Sequence, residues 1–162
     1  MELPTAVKRE LQGAFSLYAG RVRQLSSSLS DEQFWHNPYP YGNSFGNLVL
    51  HLTGNLNEYV GRQIAGTDYV RDREREFAEA DKFPKEDVLA AFDQAVEMVL
   101  SVLEIQTAES LSGKPHDSDG EHFSNRSRFG VFLHCVSHLN HHVGQMIYLE
   151  KELQQKPHRH AS

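Results

Sequence analysis

The sequence predicts an all-α protein, a four-helix bundle with long crossover loops. Apolar residues recur at three- and four-residue spacing in four separate stretches of roughly 20 residues each. We find no run of alternating apolar and polar residues that would indicate β-strands. A chain of 162 residues is long enough for one buried core. We therefore predict a single domain over residues 1–153, followed by a flexible tail over residues 154–162.

The first helix is predicted from Thr5 to about Ser28, because its apolar residues form one helical face. That face contains Leu11, Phe15, Leu17, Tyr18, Val22 and Leu25. Ser30 and Gln33 form a capping-box signature, which predicts a short helical turn. The two prolines between Asn37 and Gly42 then indicate a loop.

Ser44 is predicted to cap a second helix that ends near Gly66. A third helix is predicted from Pro84, and a fourth from about Arg126 to Glu150. The buried face of the fourth helix is expected to contain Phe129, Phe132, Val136, Leu139, Val143, Met146 and Ile147. Residues 67–83, a charged segment, are predicted to be an exposed loop or a frayed helix, and residues 110–125 a long crossover loop.

The charge and composition of the chain exclude several functions. A formal net charge of -6 argues against nucleic-acid binding, which usually requires a basic face. No apolar stretch approaches the roughly 20 residues that span a bilayer, and no secretion signal is recognisable. The single cysteine, Cys135, cannot form an internal disulfide. We therefore expect a cytoplasmic protein that acts on a small molecule rather than on nucleic acid or a membrane.

Histidine is the compositional outlier, with ten residues in the chain. On the fourth helix, His138 and His142 are four residues apart and therefore lie on the same face. Such a pair can bind a divalent metal, but a useful site needs a further ligand from another helix. His51, at the edge of the apolar stripe of the second helix, is the candidate. Three histidines with a fourth position open would match the arrangement of catalytic zinc sites.

Other residues near this predicted centre have more than one interpretation. His134 shares the face of His138 one turn earlier and is a rival ligand, whereas His141 points away. Cys135 is close enough in angle to approach the site, although a small buried hydrophobe is its usual role. Asn47 and Asn55 lie one turn on either side of His51 and are candidates to orient it by hydrogen bonding. The charged residues from Arg71 to Glu76 are interpreted as a solvated face.

Two blocks of the sequence resemble the DinB-like (DinB/YfiT) superfamily. One block runs Asn43-Ser-Phe-Gly-Asn-Leu-Val-Leu-His51 and on to Asn55, and the other runs from His138 to Gln145. The segment Arg71-Asp-Arg-Glu-Arg-Glu-Phe77 is similar to one branch of that superfamily. The resemblance implies an up-down-down-up bundle that binds one divalent ion, zinc or nickel, through His51, His138 and His142. It also implies a homodimer and a low-molecular-weight thiol as cosubstrate.

Three functions remain open from the sequence. The first is a metal-dependent transferase that joins a small thiol to a small electrophile. The second is a metal-dependent hydrolase, for which no carboxylate base is obvious although Asp31, Glu58 or His36 could serve. The third is a non-catalytic metal- or ligand-binding stress protein. A zinc protease of the His-Glu-x-x-His type is excluded, because Leu139 follows His138.

Overall fold

The computed structural model describes residues 2–77, 83–116 and 125–155, and within these ranges the regular structure is entirely helical. This confirms the predicted all-α class. The α-helices are α1 (Leu3–Ser27), α2 (Asp31–Trp35), α3 (Phe45–Leu56), α4 (Arg73–Phe77), α5 (Lys85–Glu104), α6 (Ala108–Ser112) and α7 (Arg128–Gln154). In the described residues, no helix combines the length and the apolar character that crossing a membrane would require.

The four long helices form the bundle. Helix α1 packs against α5 and α7, and α3 packs against the same two helices, so α1 lies diagonally opposite α3. The largest fully buried side chains are phenylalanines at positions 15, 34, 45, 92 and 132, contributed by α1, α2, α3, α5 and α7. Because each of these helices contributes an aromatic ring to one core, their relative positions are fixed by packing.

The predicted helix starts at Ser30 and Ser44 are confirmed. Each serine side chain accepts a hydrogen bond from the backbone N–H three residues later, and the side chain at that later position bonds back to the serine backbone. At Ser44 the reciprocal partner is Asn47. This capping box fixes the start of α3, and therefore the register that places His51 on the face packed against α7.

Beyond α3 the chain continues as a π-helix, Asn57–Ala65, which the periodic pattern did not predict. The segment ends at Gly66, whose φ of 73° lies in the left-handed region that favours glycine. A π-helical turn is rare and occurs most often near functional sites, where its wider turn redirects side chains. Here it directly follows the part of α3 that contains His51 and Asn55.

Some predictions for the surface and the loops were wrong. Leu17 and Phe129, both assigned to buried faces, are 66% and 36% exposed. Phe15 and Val131, two positions away from them, are fully buried, so the buried stripe is narrower than the sequence indicated. Short helix α4 lies in the segment predicted as loop or frayed helix, whereas the end of α6 lies in the segment predicted as a loop. Most of the tail predicted to be flexible, from residue 156 onward, lies outside the described residues.

Candidate metal centre

The structure brings His51 of α3 together with His138 and His142 of α7. The Nε2 atom of His138 lies 3.2 Å from Nε2 of His51 and 3.1 Å from Nε2 of His142. The ligand atoms that the three residues can offer all lie within 4.8 Å of one another. Ring nitrogens of the three histidines that the sequence analysis singled out therefore converge from two helices.

These separations fit a bound ion. Zinc binds imidazole nitrogen at about 2.0–2.1 Å, so tetrahedral ligand atoms are about 3.3–3.4 Å apart. The two short Nε2 distances of 3.2 and 3.1 Å are close to that value. Three imidazoles leave one tetrahedral position open, as in catalytic rather than structural zinc sites. The residues present therefore fit a divalent ion with an exchangeable ligand.

The orientation of His51 is set by a buried carboxylate that the sequence analysis did not assign to the site. The Nδ1 atom of His51 lies 2.8 Å from Oε2 of Glu76. Because an ionised carboxylate only accepts hydrogen bonds, Nδ1 carries the proton and donates it. The lone pair of His51 is then on Nε2, which faces the other two histidines. Phe77 packs against the same imidazole, with the ring centroids 5.2 Å apart.

Glu76 is itself held by Arg71. The guanidinium donates from Nε to Oε1 at 2.7 Å and from Nη2 to Oε2 at 2.9 Å, which is a bidentate pair. Burial alone would raise the pKa of Glu76, but the hydrogen bonds from His51 and Arg71 outweigh it and the pKa is lowered. Glu76 therefore stays ionised and continues to accept the His51 proton near neutral pH.

The interpretation of residues 71–76 as a solvated charged face was wrong for both ends of the segment. Glu76 is only 6% exposed, and the Arg71 side chain only 14%. The fold makes room for the carboxylate at Gly54 of α3, where an added Cβ would lie 2.1 Å from Oε1 of Glu76. The side-chain amide of Asn47 also donates to the backbone carbonyl of Glu76, at 3.1 Å. The segment therefore packs on α3 directly behind His51.

His142 is oriented in a similar way from its own helix. Its Nδ1 lies 2.7 Å from Oε1 of Gln145, one turn further along α7. The amide oxygen accepts the Nδ1 proton, so the lone pair of His142 is also on Nε2. The Nδ1 atom of His138 is buried and has no hydrogen-bond partner among the described residues. Two of the three rings are thus held by hydrogen bonds, and the third by packing.

The electrostatics of the cluster keep the imidazoles of His138 and His142 neutral. Burial, followed by repulsion from the neighbouring histidines, lowers the pKa of His138 to about 3. For His142, burial is again the largest cause, and its pKa is lowered to about 4 although the bond to Gln145 opposes the shift. Only a neutral imidazole can ligate a metal, so at neutral pH these rings are in the binding form.

The remaining candidates lie around the cluster rather than in it. His134 stacks on His138 with ring centroids 5.8 Å apart and is not one of the three converging histidines. Cys135 is completely buried, and burial raises the pKa of its thiol to about 12, so it stays a protonated thiol. Neither Asn47 nor Asn55 hydrogen-bonds to His51 as predicted: Asn47 donates to the backbone carbonyl of Glu76, and Oδ1 of Asn55 has no partner among the described residues.

Two pockets of about 300 Å³ include residues of the site, and the first is lined by two of the three clustered histidines. One is lined by His51, Asn55, Tyr59, Arg71, Arg73, Arg126, His134 and His138. The other contains Gln145, the partner of His142, and three tyrosines, Tyr39, Tyr41 and Tyr148. Volumes of this size are at the lower end of those that bind small molecules. The cluster is therefore accessible to small ligands.

Fold and site together define a helical bundle with a three-histidine cluster suited to a divalent metal. A family model described as the DinB superfamily matches residues 14–146, and the chain belongs to that superfamily. The structure is also similar to a crystal structure of a conserved protein from Enterococcus faecalis, with a TM-score of 0.71 and 15% sequence identity. The similarity covers 96% of this chain and 99% of the other, and at this identity it concerns the fold. No curated protein matches the sequence.

Proposed function

We propose that this protein is a metal-dependent enzyme that uses His51, His138 and His142 to hold one divalent ion, zinc or nickel. The observation that carries the proposal is the convergence of three Nε2 atoms, two pairs of which are 3.1 and 3.2 Å apart. Hydrogen bonds from Nδ1 of two of these rings set the tautomer that a ligand requires. A solvated histidine pair would need neither the buried carboxylate nor the third ring.

We further propose that the reaction transfers a low-molecular-weight thiol to a small electrophile, as the resemblance to the superfamily implies. The bound ion would lower the pKa of the thiol and so favour the nucleophilic thiolate. In the overall step the sulfur forms a bond to an electrophilic carbon, and the bond from that carbon to its leaving group breaks. The leaving group departs with the electron pair, and the thiol proton is released to solvent.

None of the three bases considered for hydrolysis from the sequence lines the pocket beside the cluster. A metal-assisted hydrolase normally has a carboxylate or histidine base beside the attacking water. Among the described residues no carboxylate lines the arginine-containing pocket, and His134 is the one histidine outside the cluster that does. Glu58, one of the candidate bases, is paired with Arg62 at 2.6 Å. Asp31 and His36 are exposed residues at α2 and do not line this pocket. A thiolate, by contrast, is already a nucleophile and needs no such base.

The metal site is tested by metal analysis of tag-free protein after incubation with zinc or nickel and removal of the excess. We expect about one ion per chain for the wild type and far less than one for His51→Ala and His138→Ala. His141→Ala is the matched control, because His141 is an exposed histidine on the same helix. Full metal loading of both His51→Ala and His138→Ala would refute the three-histidine site.

The reaction is tested on the metal-loaded protein with a panel of small thiols and a chloro-dinitrobenzene acceptor. We expect turnover that requires both the thiol and the metal and that is lost in His138→Ala. A protein that binds one ion but shows no thiol-dependent turnover with any member of the panel would favour a hydrolase or a binding protein. Because the metal is measured separately, that result would leave the metal site itself intact.

A further inference from the structure

The pocket beside His51 and His138 has a positive lining in an acidic protein. Arg71, Arg73 and Arg126 all line it, and no carboxylate does so among the described residues. The chain as a whole has a formal net charge of -6, so this concentration of guanidinium groups reverses the overall sign locally. A cleft with one sign of charge attracts ligands of the opposite sign. The lining therefore favours an anionic ligand.

The three arginines differ in what they can offer to a ligand. Arg71 is committed to Glu76 through its bidentate pair, so most of its charge is already balanced. Arg73, at the start of α4, is exposed and forms no hydrogen bond or ion pair with any described residue. Arg126 comes from a separate segment, just before α7. Guanidinium groups bind carboxylates through paired N–H donors. Arg73 therefore has its charge available to a ligand, and Arg126 adds a second guanidinium to the same lining.

A second, independent observation comes from Asn55. Its side chain lines the same pocket and is only 4% exposed, yet its Oδ1 atom has no hydrogen-bond partner in the described structure. Buried polar groups nearly always have a partner, and an exception in a pocket indicates a ligand or a bound water. An oxygen acceptor at this position suits a ligand that also has an O–H or N–H donor.

We propose that this pocket binds the carboxylate of a small substrate through Arg73 and Arg126, and that Asn55 bonds to a neighbouring hydroxyl or amine of the same molecule. The proposal deepens the proposed function and rests on it for the reaction, since the pocket opens onto His51 and His138. The carboxylate can belong to the thiol or to the electrophile. The binding contacts are the same in either case, and the two sources are separated by experiment.

Binding is tested first in metal-free protein, so that the result does not depend on the metal. The probes are lactate, propionate and lactamide, followed by NMR chemical-shift titration. Lactate has the carboxylate and the hydroxyl, propionate lacks the hydroxyl, and lactamide lacks the charge. We expect lactate to bind most tightly, propionate more weakly, and lactamide without saturation. Asn55→Ala is expected to remove the advantage of lactate over propionate.

Charge variants assign the contacts. Arg73→Gln and Arg126→Gln are each expected to weaken lactate binding by about five- to tenfold, less than loss of a buried charge-assisted hydrogen bond, because both arginines are exposed. Arg75→Gln is the matched control, because Arg75 lies on the same helix as Arg73, is exposed, and does not line this pocket. Equal binding of lactate and lactamide, or an equal loss in Arg75→Gln and Arg73→Gln, would overturn the proposal.

The source of the carboxylate is identified in the metal-loaded protein. Mercaptopropionate is compared with mercaptoethanol using neutral chloro-dinitrobenzene, and then chloro-nitrobenzoate is compared with chloro-dinitrobenzene using mercaptoethanol. We expect Arg73→Gln to raise KM by about five- to tenfold for whichever partner carries the recognised carboxylate, with kcat little changed. A KM that does not change for either acid would contradict a role in substrate binding. Retained lactate binding without any thiol turnover would instead refute only the proposed reaction.

Discussion

Replacing Glu76 by glutamine would remove the charge that orients His51 while keeping the size of the side chain. The carboxylate lies 2.8 Å from Nδ1 of His51 and also accepts both bonds from Arg71. Loss of a hydrogen bond that orients a metal-ligating histidine typically costs about 10- to 100-fold in metal affinity. That range corresponds to about 1.4–2.7 kcal/mol of binding free energy. We expect Glu76→Gln to fall in the upper half, because Glu76 is only 6% exposed and water cannot readily replace it.

The same substitution is expected to destabilise the metal-free protein. It leaves Arg71, whose side chain is 14% exposed, without an ionised partner. Breaking a buried ion pair from one side costs about 3–5 kcal/mol, and the residual exposure of Arg71 indicates the lower end. A domain of this size usually has about 5–15 kcal/mol of stability, so the variant should remain folded.

The assay has two parts, with Glu74→Gln as the control. Glu74 lies on the same short helix but is exposed, so its substitution changes the charge equally without touching His51. Zinc affinity is measured by competition with a chromogenic chelator, and unfolding of the metal-free protein is followed in urea by circular dichroism. We expect large effects in Glu76→Gln and near wild-type values in Glu74→Gln.

A second variant separates position from charge. Gly54→Ala places a Cβ 2.1 Å from Oε1 of Glu76, so the carboxylate must move although every charge is retained. We expect a loss of zinc affinity similar to that of Glu76→Gln. Wild-type zinc affinity in both Glu76→Gln and Gly54→Ala would refute the argument that the carboxylate orients His51.

Three further predictions concern other parts of the molecule. Cys135 should react with a thiol reagent only after unfolding, because its pKa of about 12 leaves roughly one thiolate in ten thousand at about pH 8. Rapid labelling of the native protein would contradict the burial of this thiol. Gly46→Ala should lower the midpoint of urea unfolding, since the new Cβ would lie 2.4 Å from the Trp35 ring. In Gly20→Ala the new Cβ has no neighbour within 4 Å, so this variant should stabilise the protein by up to about 1 kcal/mol. Gln145→Ala should weaken zinc binding by at most about tenfold, because Gln145 is exposed and water can replace its hydrogen bond to His142. A larger loss of zinc affinity than in Glu76→Gln would contradict this prediction.

The three histidines of the site were predictable because their signals are local. His138 and His142 are four residues apart on a strongly periodic helix, which places them on one face wherever that helix packs. His51 could be paired with them because it lies at the edge of an apolar stripe, where a side chain reaches a neighbouring helix. The capped starts at Ser30 and Ser44 were predictable for the same reason, since a capping box depends on residues only three apart.

The parts that were missed depend on contacts between distant residues. A run of alternating arginines and glutamates has the composition of a surface, and nothing within it indicates that Glu76 is buried against α3. The available signal was Gly54, a helical glycine one turn from His51 that leaves space for a neighbouring side chain. The π-helix was missed because apolar spacing of three and four residues does not distinguish it from a continuing α-helix.

The position of the centre in the chain means that an ion there would act as a removable crosslink. Residues 51 and 138 are separated by 87 positions and lie on different helices of the bundle. An ion that binds only the native arrangement stabilises it by mass action, by about 4 kcal/mol at a thousand times its dissociation constant. The resistance of this protein to heat would then vary with the metal supply of its surroundings.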